Sequence, residues 1–159
     1  MQRIQLSKNF FLDEYISREL YFANQDPASP FSAYPDKIWH EILRRKIDDR
    51  LVESDQALRD LFGPVMINNW AIEGERQWCG YRPYDCPVGS TLSDHREGSV
   101  SDKIFQDYSA EEVIHWLKVN DNYKKVGITI IEEFRGKDIT WLHSGVSWTN
   151  SDNLKIIWM

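Results

Sequence analysis

Over residues 36–62, apolar side chains recur every three or four positions: Ile38, Trp39, Ile42, Leu43, Ile47, Leu51, Leu58 and Leu61. That spacing lines one face of a helix. Asp36 stands where a cap would open it, and Gly63-Pro64 closes it. The pattern permits one helix or two, with a break near Val52 to Asp55. Upstream, Phe10, Phe11, Tyr15, Leu20 and Tyr21 fall at roughly helical spacing within residues 7–21, before the breaker Asp26-Pro27-Ala28-Ser29-Pro30. Downstream the pattern shortens. Residues 65–67, 100–105, 126–132, 139–146 and 154–158 read as strands, and Ser109-Ala110-Glu111-Glu112 is a capping signal for a helix running to about Val119. Helices first and strands later predict an α+β fold, with N-terminal helices packed on a small, mostly antiparallel sheet. Residues 68–92 are rich in Gly, Pro, Asn, Asp and Tyr and read as a long loop. Loops of that length in a compact domain usually carry function.

The chain has 159 residues, 42% of them apolar, which suits a single domain over 1–159 with one core. Seven Trp are more than a core of this size needs, so some rings are expected at the surface or in a groove. The net charge of -6, with no basic block beyond Arg44-Arg45-Lys46, argues against nucleic acid as a partner. No stretch approaches the roughly 18 apolar residues of a membrane span. The N-terminus lacks the apolar core of a signal peptide, which predicts a cytoplasmic protein at synthesis. Action on a cell wall would then need separate delivery. Cys79 and Cys86 have no second Cys pair to complete a structural zinc site, and free thiols are the expectation.

The candidate chemistry lies in Ser93-Asp94-His95-Arg96-Glu97-Gly98-Ser99-Val100-Ser101-Asp102. His95 offers a neutral imidazole and Asp102 an anionic oxygen, both metal-ligand types. Gly98 permits the turn that folds one toward the other, and the second half can run as a strand. Spacing alone is a weak signal, because a His and an Asp seven apart are commonplace. A third ligand is needed, and His143 in Thr140-Trp141-Leu142-His143 is the best candidate. It follows an apolar pair in a predicted strand, although a hydrogen-bonded His would read the same way. His40 and His115 read as ordinary helix positions.

This segment resembles the Ser-x-His-x-x-Gly-x-Ala-x-Asp motif of the D-Ala-D-Ala carboxypeptidase and phage endolysin family, with Val100 in place of the usual Ala. The start, from Leu6 to Tyr15, looks like the opening of phage members. Pro64 to Trp70 and Gly80-Tyr81-Arg82 resemble their strand and the Arg-bearing loop after it. Ile128 to Glu132 and Trp141-Leu142-His143 resemble the last two site segments, so the likeness runs in order along nearly the whole chain. It implies the Hedgehog/DD-peptidase fold, with zinc on His95, Asp102 and His143. It also implies Arg82 on a substrate carboxylate or carbonyl, and Ser93 bonding substrate or orienting the loop.

The family's general base is a carboxylate near the metal. Thr140, three before His143, cannot serve; Glu132 ranks first, with Asp138 and Glu133 as alternatives. Glu132 and Glu133 point to opposite faces of a strand, so only one can face the site. Where many phage members read His-x-Asp, this chain reads His143-Ser144-Gly145, somewhat like Hedgehog signalling domains, which share the fold and zinc. The implied function is a phage-type zinc peptidase acting on peptidoglycan stem peptides. The alternatives are a non-catalytic member serving as a cell-wall-binding or virion structural protein among other phage proteins, and a peptidase for another small peptide.

Overall fold

A computed structural model describes residues 3–133, 139–147 and 152–158. The expected α+β class holds. The helices are α1 (Arg18–Tyr21), α2 (Asp36–Arg44), α3 (Asp49–Phe62), α4 (Ala110–Lys118) and α5 (Asn122–Lys125). One sheet joins β1 (Val65–Met66), β2 (Val100–Phe105), β3 (Ile130–Glu133), β4 (Leu142–Gly145) and β5 (Lys155–Trp158) in the order β1-β2-β4-β3-β5. It is mixed: β5 runs parallel to β3, and the other pairings are antiparallel.

Two expectations about the helices need correction. The break in residues 36–62 lies between Arg44 and Asp49, not near Val52 to Asp55. Asp48 restarts the chain as a helix by accepting a hydrogen bond from Arg50 N on its own side chain, a local cap that the apolar spacing does not register. Asp36 is the first residue of α2 rather than its cap, and its carboxylate instead accepts from Asn24 Nδ2. The helical spacing of residues 7–21 does not make one helix. Gln5 and Phe11 form an isolated bridge, Leu12–Glu14 is a 3-10 turn, and α1 starts only after Ser17 caps it. The carbonyls needed for a continuous helix are taken by distant donors. Glu14 O accepts from Asn68 N, Tyr15 O from Tyr81 N, and Ile16 O from the Trp70 indole. Tertiary bonds have replaced the local ladder.

Where the signals are local, they hold. Ser109 and Glu112 form the capping box of α4, and Gly63 ends α3 at φ 79°. The core gathers Leu43, Leu51, Leu58, Val113 and Leu117 from the helices with Val65, Phe105, Ile131 and Leu142 from the strands. Trp39 belongs to that core, whereas Trp158 stands 52% exposed, so the Trp set divides between interior and surface as expected. Cys79 and Cys86 are free thiols. Among the described residues, no helix is long and apolar enough to cross a membrane.

The sheet register determines what the two faces carry. Asp102 pairs with His143 across β2 and β4, and Ile131 pairs with Ser144 across β3 and β4. One step beyond Ile131 brings Glu132 opposite His143. Side chains alternate along strands, so Asp102, His143 and Glu132 form a row across three strands on one face. Ser101, Lys103 and Ser144 point to the other face, where α3 and α4 pack: Asp55 of α3 meets Lys103, and Lys118 of α4 meets Glu133.

Candidate metal centre

His95 reaches the row from outside the sheet. It sits in a 3-10 turn, Asp94–Glu97, between the long loop and β2. Ser93 caps that turn, its hydroxyl accepting from His95 N at 3.4 Å. Gly98 ends it at φ 66°, and a Cβ there would collide with the carbonyl of Lys46. The Gly98 carbonyl in turn accepts from Asp48 N at 3.0 Å, which docks the turn on the α2–α3 junction. The long loop folds beneath His95, and Gly80 lies against the backbone of Tyr15 where no side chain fits. The Gly80 carbonyl is 2.7 Å from His95 Nδ1.

His95, Asp102 and His143 are all buried and each offers one donor atom, these atoms lying within 4.8 Å of one another. Asp102 Oδ1 stands 2.7 Å from His143 Nδ1 and 3.3 Å from His95 Nε2. Asp102 Oδ2 accepts from the Arg82 guanidinium at 2.8 Å. Burial works to raise the Asp102 carboxyl's pKa, but its contacts to the two imidazoles, the hydrogen bond from His143 first, outweigh it and hold the group well below the ordinary carboxylate range. Asp102 is therefore ionised at any ordinary pH.

The His95 ring is the telling one. A carbonyl only accepts, so Nδ1 must carry the proton donated to Gly80. Burial lowers the pKa of this imidazole, against the pull of Asp102, and favours its neutral form. In that form Nε2 presents a lone pair to an anionic oxygen 3.3 Å away. Two lone pairs facing each other in a buried site repel, and a cation between them removes the repulsion. Three convergent donors of nitrogen and carboxylate type, one already oriented by a backbone carbonyl, fit a metal ion. This triad could hold one.

The base candidates separate by register. Glu132 Oε1 lies 3.7 Å from His143 Nε2, on the face of the triad. Glu133 faces the opposite side and pairs with Lys118 at 2.8 Å, so it is not available to the site. Asp138 lies outside the described residues. Arg82 lies in the site: its Nε donates to Trp78 O and its Nη2 to Asp102 Oδ2 at 2.8 Å. Ser93 stands at the cap of the turn that carries His95. That the Gly80 carbonyl orients His95 was not legible from residue types, because that contact depends on the path of an irregular loop. His40, tilted against Tyr21 with ring centroids 4.4 Å apart, and His115 on α4 are outside the cluster.

No protein-family model, curated protein or solved structure matches this chain.

Proposed function

We propose that this protein is a zinc-dependent peptidase of the D-Ala-D-Ala carboxypeptidase and phage endolysin type, acting on peptidoglycan stem peptides. The observation that carries the reading is the convergence of His95, Asp102 and His143, three residues from separate parts of the chain, with Glu132 beside them in the same row. His95, Asp102 and His143 would hold the metal, a three-ligand set that leaves a position for water or substrate. Zinc bound there supplies Lewis-acid polarisation of a scissile carbonyl and acidifies water. Glu132, 21% exposed at its side chain and beside His143, would take a proton from the attacking water and return it to the leaving amine. Arg82 would hold Asp102 in orientation through its hydrogen bond to Oδ2.

The test begins with bound zinc in wild type and His95→Ala by elemental analysis, with about one ion per chain expected in the wild type and none in the variant. Glu132→Gln should keep the metal and lose hydrolysis of stem peptides by at least about a hundredfold. Wild type that takes up no zinc would refute the metal centre. Zinc uptake without cleavage of D-Ala-D-Ala or L-Ala-D-Glu peptides would refute the peptidoglycan reading.

One observation favours a second reading, a non-catalytic metal-binding protein of a cell wall or virion. Arg82, the side chain best suited to grip a substrate carboxylate, turns its Nε and Nη2 to Trp78 and Asp102 instead of to open solvent. Stoichiometric zinc with no hydrolysis, together with stable assembly with other phage proteins, is what that reading predicts.

A further inference from the structure

Behind the metal row lies a second buried cluster that the proposed chemistry does not use. Lys103 and Asp55 are 0% and 1% exposed and meet at 2.9 Å. Lys103 Nζ also donates to Ser144 Oγ at 2.8 Å, to Ser144 O at 2.9 Å and to Ser101 O at 3.2 Å. Asp55 Oδ2 accepts from Ser101 Oγ at 2.9 Å and from the Tyr15 hydroxyl at 3.0 Å. Ser101 and Lys103 flank Asp102 on β2, and Ser144 follows His143 on β4.

Granting the metal-centre reading above, we infer that Asp55 and Lys103 are its positioning residues, tying all three ligands to one buried ion pair. Two ligands are held through their strand neighbours. Lys103 reaches across from β2 and bonds both oxygens of Ser144, a contact available only when Asp102 stands opposite His143. A slip of one residue between these strands would turn His143 to the back face and take Ser144 from Lys103 in the same movement. The third ligand is held through Tyr15. Its hydroxyl donates to Asp55, its carbonyl accepts from Tyr81 N at 2.7 Å, and Gly80 packs on its backbone, presenting the carbonyl that orients His95.

Stability alone does not account for such a pair. Desolvating two charges costs so much that well-packed apolar residues in their place are often neutral or stabilising. What apolar side chains lack is direction. They tolerate small shifts of one strand past another, whereas a lysine with four oxygen partners does not.

The experiment uses the full chain with both positions made apolar, Asp55→Leu with Lys103→Met. The urea midpoint, zinc affinity by chelator competition, and the His143 ring Nδ1 proton in the zinc-free protein by NMR are compared with wild type. The double variant is expected to unfold near the wild-type midpoint, bind zinc about 10- to 100-fold more weakly, and lose the protected Nδ1 proton that bonds Asp102. Wild-type affinity and an unchanged proton signal in a folded double variant would overturn the inference. Wild type that binds no zinc defeats the metal-centre reading instead, and the proton signal then decides the positioning claim by itself. Should the double variant not fold, Ser144→Ala and Tyr15→Phe, which remove single hydrogen bonds, take its place. Each is expected to shift the same readouts in the same direction, and wild-type values in both would overturn the claim.

Discussion

The two faces of the β2–β4 ribbon both bury an acid among nitrogen donors, and they treat its charge differently. On the back, Asp55 meets the Lys103 amine and two hydroxyls. Burial pushes its carboxyl up while Lys103, Ser101 and Tyr15 oppose that. Lys103 Nζ, Ser101 Oγ and the Tyr15 hydroxyl each point at an acceptor, and the cluster is closed on its own cation. On the front, Asp102 meets Arg82 with one oxygen and two imidazoles with the other. One imidazole turns a lone pair toward it, so this cluster could take an added cation. The same strands thus hold a set that encloses its own cation and a set that could receive one. The difference lies in donors, since an ammonium brings three protons and no lone pair, whereas a neutral imidazole brings one proton and an opposing lone pair.

The sharpest way to break this contrast is to open the closed face. Lys103→Met alone leaves Asp55 buried without its cation, and a loss of about 3–5 kcal/mol is expected in urea unfolding. A loss below about 1 kcal/mol would mean that the back face is not the closed pair described, since breaking such a pair is strongly destabilising. Next comes the anchor of the front face. Gly98→Ala forces a side chain into the left-handed region and against the Lys46 carbonyl. We expect a cost of about 2 kcal/mol or more in the same assay, with weaker zinc binding as His95 shifts.

Smaller effects sharpen the comparison. Arg82→Gln removes the partner of Asp102 Oδ2 and should weaken zinc about tenfold, as second contacts to ligands do, with little change in the urea midpoint. A half-buried acid away from both faces serves as the control. Glu14 lies beside Arg3 at 3.6 Å, yet burial raises its pKa to about 7. Its folded value stands above the ordinary 4.5, so the stability it favours is full below pH 4.5 and is lost as pH rises through about 7. Glu14→Gln should therefore raise the melting temperature by a few degrees at pH 8 and change it little at pH 4.5, as read by thermal unfolding at both values.

What was legible beforehand follows the range of the interaction. The capping box at Ser109 and Glu112, the Gly63 stop and the strand through Asp102 depend on neighbours in the chain, and each was readable there. The broken segment of residues 7–21 was not, because its carbonyls answer to donors from Asn68, Trp70 and Tyr81. The ligand trio could be named from its motif and its resemblance, whereas its convergence needed the pairing of β2 with β4. Alternation along β3 said that only one of Glu132 and Glu133 could face the site. The register chose Glu132, and Lys118 took the other.

By itself, then, the sequence determined the residue types at the site, the turn at Gly98 and the α+β order of elements, all consequences of local sterics and spacing. Tertiary structure alone decided that Arg82 holds Asp102 and that Glu132 stands beside His143. It also decided that Lys103, an unremarked charge in an apolar strand, closes on Asp55 behind them. The physical reason is burial. A charge in water can pair with many partners, but one enclosed in the fold must pair with whichever group the folded chain brings within about 3 Å, and sequence separation does not limit which group that is.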